Sequence, residues 1–238
     1  MKYYGKFILY LWCFVQLHFL KAQEVYSEFA LSGRGDLVLV GNNKKLQPKV
    51  FEAFKKMQTA AYFDGISIEL VSAYRSFNHQ KNIWNRKYSK FISEGLTPEA
   101  TVQKIIEYST IPGTSRHHWG TDIDIFDGTL PQPDNLLVEE NYEENGVYVN
   151  LKKWMDENAH KFGFYLVYTK DENRKGFKYE PWHYSYLPIA KQMLNDFKLE
   201  AMLNLIETSN IKGKTVLTKS FLEQYYTENI LDINSILK

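Results

Sequence analysis

The only cysteine in the 238-residue chain, Cys13, lies inside an apolar run near the N-terminus. No disulfide can therefore brace the rest of the chain, and stability has to come from a hydrophobic core or a bound metal. The length suffices for a full core, and a composition of 44% hydrophobic residues, with 16% aromatic, supplies it. The apolar run, Phe7 to Leu20, follows Lys2 and Lys6 and precedes Lys21-Ala22-Gln23. It falls short of the roughly 20 apolar residues of a membrane span. This order of charge, apolar stretch and small residue predicts a signal peptide over residues 1–22. Its removal takes three lysines with it and lowers the formal charge of +1 by three, to −2. The expectation is an exported protein of the periplasm or cell envelope, with no stable membrane span after signal removal. The 29 Lys+Arg and 28 Asp+Glu nearly balance and form no basic block. That argues against a nucleic-acid partner held by phosphate neutralisation.

Hydrophobic spacing outlines the remaining elements. Leu37–Val40 and Ile66–Val71 read as strands. Val50, Phe54, Met57 and Ala61 recur at helical spacing after Pro48 and before Gly65. A second helix is expected from Ser76 to Gly95. A third follows Thr97-Pro98-Glu99, an N-cap with Pro at the first helical position. Thr121–Phe126 reads as a strand, 128–146 as a loop and Val149–Phe162 as a helix closed by Gly163. Phe164–Tyr168 reads as a strand, and a turn at Asp171–Gly176 leads into another strand through Tyr179. Helical patterns around Met193–Ile206 and Lys219–Asn229 complete the chain. Helices and strands mix without βαβ alternation, which predicts an α+β fold, an antiparallel sheet flanked by helices.

Two histidine settings carry the chemistry. In Ser115-Arg116-His117-His118-Trp119-Gly120-Thr121-Asp122-Ile123-Asp124 the strand alternation puts Asp122 and Asp124 on one face. Gly120 permits the sharp approach that brings His117 onto it. In Tyr179-Glu180-Pro181-Trp182-His183-Tyr184 a regular strand would separate Glu180 from His183, and Pro181 allows a kink that unites them. Two imidazoles and one carboxylate make a catalytic zinc site whose fourth tetrahedral position is left for water, with a further carboxylate as base. His160 and His79 read as structural, and Arg34-Gly35-Asp36 as a turn.

The pattern resembles the VanY-type D-alanyl-D-alanine carboxypeptidases, zinc peptidases of bacterial cell-wall peptides that share a fold with lysostaphin and hedgehog relatives. The resemblance rests on Ser115, His117, Gly120 and Asp124, then Glu180-Pro181-Trp182-His183-Tyr184, with Ser72-Ala73-Tyr74-Arg75-Ser76 and Gln80 upstream. It covers roughly residues 30–190 and implies a hedgehog/DD-peptidase-like catalytic domain, taken as 23–190; residues 191–238, with their helical patterns, lie outside it as a C-terminal extension. It further implies His117, Asp124 and His183 as zinc ligands and Glu180 as general base and later acid. Arg75 would hold the scissile carbonyl oxygen, and Ser115 and Gln80 would seat the substrate's terminal carboxylate. The implied partner is a peptidoglycan stem peptide ending in D-Ala-D-Ala. Alternatives are an L,D-carboxypeptidase or endopeptidase on the same scaffold, or a binding module that has lost catalysis; a retained Glu180 speaks against the last.

The chain departs from the family at Asp122, where a small residue is common. Asp122 is expected either behind a metal ligand or as a reader of a substrate amine. His118 is an alternative ligand to His117, Trp119 a candidate cleft wall and Trp182 a neighbour of the metal.

Overall fold

The computed structural model describes residues 25–238, so the expected signal peptide lies outside the described residues. A four-stranded antiparallel sheet organises the molecule: β1 (Ile68–Ser72), β2 (Asp122–Asp127), β3 (Phe164–Leu166) and β4 (His183–Tyr186), in the order β1-β2-β4-β3. Around it stand α1 (Glu28–Leu31), α2 (Pro48–Phe63), α3 (Phe77–Ser93), α4 (Pro98–Ile105), α5 (Val149–Asn158), α6 (Leu187–Asp196), α7 (Leu199–Thr208) and α8 (Lys219–Tyr225). The α+β class and the helix-flanked antiparallel sheet are as expected.

The helix starts follow local chemistry. Pro48 and Pro98 open α2 and α4 where no amide donor is needed. The Ser76 hydroxyl accepts from the His79 amide and the Thr97 hydroxyl from the Ala100 amide, capping α3 and α4. Val50, Phe54, Met57 and Ala61 are buried on one stripe of α2. With Leu151 and Met155 of α5 they pack against Ile123, Ile125 and Tyr184 of the sheet. A second core gathers Trp84 of α3, Val102 and Ile105 of α4, Trp119, Val167 and Tyr168 with the C-terminal helices.

Three expectations change. Leu37–Val40 is no strand: only Val40 bridges to Leu46, and Val38 is 74% exposed. The left-handed Asp36 and Gly41 (φ +67° and +109°) break extended pairing on either side. The strand expected through Tyr179 is absent. Instead the His183 amide donates to the Glu180 carbonyl across Pro181-Trp182, a tight turn with Pro at its second position. The single helix expected around Met193–Ile206 breaks at Phe197, whose backbone is extended and whose ring is buried 6.3 Å from Trp119.

The residues after 190 complete the second core. Met193, Met202, Ile206 and Leu222 belong to it, and Leu237, next to the last residue, is fully buried. Leu237→Ala is expected to destabilise the protein by about 2–5 kcal/mol, read as a shift of the urea midpoint. An unchanged midpoint would mean that the tail does not stabilise the domain.

Candidate active site

Strand register builds the site. Asp124 lies opposite His183 and Asp122 opposite Ser185 in the β2–β4 pairing. Directly opposed side chains share a face, so the four project together, while Ile123 and Tyr184 between them enter the core. His117 arrives from a 3₁₀ turn, Arg116–Trp119, that ends on left-handed Gly120 (φ +63°). The turn at Pro181 folds Glu180 back onto the same group.

The ligand atoms of His117, Asp124 and His183 lie within 4.8 Å of one another, and all three residues are buried. His117 Nδ1 donates to the Ala73 carbonyl at 2.8 Å, which leaves Nε2 facing Asp124 Oδ2 at 3.1 Å. His183 is held the other way round. Its Nε2 meets Asp122 Oδ2 at 3.0 Å, while Nδ1 faces Glu180 Oε2 at 2.9 Å and Asp124 Oδ1 at 3.7 Å. Each ring is thus oriented through the nitrogen that points away from the centre, as in metal sites whose imidazoles are backed by oxygen acceptors. Asp124 Oδ1 is buried and has no hydrogen-bond partner. An orphaned carboxylate oxygen beside two imidazoles fits a divalent cation, and a His₂Asp set is a zinc donor set.

The same groups are electrostatically coupled. Burial pushes the Glu180 carboxyl up, only partly opposed by its bond to His183, which favours proton uptake by this residue. Burial would also raise Asp124, but His117, His183 and Arg75 together hold it below its ordinary range. Burial disfavours charge on His183, yet its bonds to Asp122 and Glu180 prevail and raise it to about 10. The His183 imidazole stands T-shaped against the Tyr168 ring, 5.1 Å between ring centres.

Around this centre lies a cleft of about 670 Å³ lined by Arg75, Ser115, His117, Asp124, Glu180, Trp182 and His183, among others. Arg75 Nη2 stands 3.9 Å from Asp124 and bonds Ser72 Oγ at 2.9 Å. Its Nη1 donates to Gln80 Oε1 at 2.8 Å. Gln80 itself does not reach the cleft. It is fully buried, and its Nε2 is spent on the Thr110 carbonyl at 2.8 Å and Ser109 Oγ at 3.4 Å. Its place is behind Arg75, not against a substrate carboxylate. A helix-facing Gln one turn into α3 has the reach to do either, so sequence alone did not separate them.

His118 is not a spare ligand: Nδ1 bonds the Arg75 carbonyl, Nε2 accepts from the Gly113 amide, and burial lowers the ring to about 3. It pins the backbone of Arg75. Trp119 is not a cleft wall; its Nε1 donates to the Leu31 carbonyl and its ring lies 4.6 Å under the Arg116 guanidinium. Trp182 lines the cleft and packs on Tyr142 at 5.7 Å. His79 and His160 are exposed, and neither lines the cleft.

Asp122 does not meet the cleft, which removes the amine-reading expectation. It is 0% exposed and accepts from Arg116 Nε (2.8 Å), Thr121 Oγ1 (2.7 Å) and Ser185 Oγ (2.6 Å) as well as His183. Burial works against its charge, but Arg116 and His183 hold it well below the usual carboxylate range. Arg116 and Ser185, linked to each other at 2.7 Å, went unnoticed in the sequence. Their positions, one before His117 and two after His183, put them on the turn and strand face already in view.

Comparison with known proteins follows the same lines. The family model described as VanY, D-alanyl-D-alanine carboxypeptidase, matches residues 43–189, more than half of the chain. An uncharacterized protein of Haemophilus influenzae is 38% identical over 123 residues, 51% of this chain and 93% of that protein. A D-alanyl-D-alanine carboxypeptidase of Enterococcus faecalis is 28% identical over 155 residues, 65% of this chain and 53% of that protein, so this chain spans about half of its length. Among solved structures, VanYB in complex with D-alanine-D-alanine superposes with a TM-score of 0.54 at 24% identity, covering 72% of this chain and 91% of that one. A mutant of the vancomycin-resistance D,D-pentapeptidase VanY from the VanB-type resistance cassette, in complex with Zn(II), gives 0.52 at 22% identity, covering 77% and 90%. At such identities these two structures show the shared fold. The matched span carries the upstream arginine, the 3₁₀ turn, both central strands and the Pro181 turn, and the chain belongs to the VanY D-alanyl-D-alanine carboxypeptidase family.

Proposed function

We propose that this protein is an exported zinc carboxypeptidase of the cell envelope that removes the terminal D-Ala from peptidoglycan stem peptides ending in D-Ala-D-Ala. The observation that carries the reading is the meeting of His117, Asp124 and His183 with Glu180 in one cleft. His117 Nε2, His183 Nδ1 and an Asp124 oxygen would hold the ion. When bound, zinc polarises a carbonyl and makes water a competent nucleophile near neutral pH.

The rest is done by the chain. Glu180, beside His183, takes the proton of the attacking water and returns it to the leaving amine. Arg75, fixed by Ser72, Gln80 and the His118-pinned backbone, stabilises negative charge as it develops on the carbonyl oxygen without having to reorganise. Ser115, buried where it lines the cleft, is a donor for the substrate beside them. A buried carboxylate next to the metal ligands has a catalytic use and no evident use in a binding module.

The expected result with purified, zinc-supplied protein and a synthetic stem pentapeptide is release of D-Ala, abolished by a chelator and restored by added zinc. Cleavage of the tetrapeptide stem but not the pentapeptide would replace the assignment with an L,D-carboxypeptidase. No cleavage of any stem peptide with one zinc bound would leave the binding module.

A further inference from the structure

Helix α3 carries a second set of cleft residues that no motif announces. Gln80, Ile83, Trp84 and Lys87 are spaced three, one and three apart and share one face of the helix. Gln80 holds Arg75 from behind, whereas Ile83 and Lys87 line the cleft itself. Side chains on a helix lean toward its N-terminus, and that is the end of α3 where Gln80 holds Arg75.

The Lys and Arg side chains that line the cleft are Arg75, Lys87 and Arg116. Arg116 is neutralised by Asp122, and Arg75 is engaged by Ser72 and Gln80 beside Asp124. The Lys87 side chain is half-buried and, among the described residues, has neither hydrogen bond nor ion pair. Burial lowers its ammonium below the ordinary lysine value, Glu180 counteracts this, and Arg75 and Arg86 add to it. This half-buried ammonium lines the same cleft as Glu180 and Arg75, and it has no paired anion among the described residues.

We infer that Lys87 is the specificity-determining residue that receives the free C-terminal carboxylate of the substrate. The inference rests on the carboxypeptidase reading above and names the group that makes the enzyme act at chain ends. A substrate whose scissile carbonyl meets Arg75 carries its terminal carboxylate one residue further on. The cleft lining also includes Glu140, whose carboxylate disfavours an anion on its side, and Glu139, which is already paired with Lys170 at 2.8 Å. Gln80, with both amide groups committed inside the protein, does not fill this role.

The test uses the full zinc-supplied protein, Lys87→Met and Lys87→Arg, with one stem pentapeptide as the free acid and as the C-terminal amide. Wild type is expected to prefer the acid. Lys87→Met raises KM for the acid about 10- to 100-fold, the scale of a lost charged hydrogen bond. It leaves kcat and the amide nearly unchanged, so the acid/amide ratio of kcat/KM collapses, and Lys87→Arg restores part of it. A wild-type ratio retained in Lys87→Met, or an equal loss on both peptides, overturns the inference while leaving the carboxypeptidase standing. A wild type that cleaves neither peptide overturns both.

Discussion

Glu180→Gln is expected to lower kcat for D-Ala release about 10²- to 10⁴-fold while the protein still binds one zinc per chain. The amide matches the carboxylate in size, so packing in the cleft, where Glu180 is 6% exposed, is preserved. It cannot accept the proton of water or hand one to the leaving amine. Glu180 is suited to that exchange because burial raises its carboxyl toward the working range, where an acid–base group is most effective. KM should change little, since an interaction needed only in the transition state acts on kcat and kcat/KM alike. Metal content, measured on the same preparations, separates loss of the base from loss of the ion. A Glu180→Gln protein as active as wild type, with zinc present, would remove Glu180 from the mechanism.

Asp124 and its alternation with Ile123 followed from strand geometry, and the β2–β4 register then sets Asp124 across from His183. That cross-strand relation links residues 59 positions apart, and no local pattern encodes it; the motif resemblance stood in for it. The Pro181 kink was visible, but as a strand defect and not as the tight turn that returns Glu180 to His183. Helices with caps and a clean apolar stripe, such as α2 and α4, were legible because local chemistry alone defines them. The Leu37–Val40 run was not, since a strand needs a partner and this one finds only the bridge to Leu46. Phe197 shows the reverse case: a helical pattern interrupted because one ring packs better against Trp119 and Tyr226. Lys87 and Arg116 were passed over because a lone cation on a polar chain carries no signal until its surroundings are known.

Asp122→Ala is expected to cost about 3–5 kcal/mol of stability, the scale for stranding a buried charge, and to weaken zinc binding about 10- to 100-fold. The two effects have separate origins. Stability falls because Arg116, 3% exposed and stacked on Trp119, loses its counter-ion in a place water does not reach. Zinc binding falls because His183 Nε2 loses the acceptor that turns Nδ1 toward Glu180 and Asp124. Removing both charges, as Asp122→Ala with Arg116→Met, is expected to restore most of the stability, since a buried pair replaced by apolar groups is often tolerated. It should not restore zinc affinity, because the imidazole still lacks its acceptor. Urea midpoints measured without metal report the first effect, and competition for zinc with a chelator reports the second. If single and double variants unfold at the same midpoint, the Arg116–Asp122 pair is not the stabilising link. If zinc affinity is unaltered in both, His183 is oriented by Glu180 and the turn at Pro181 alone.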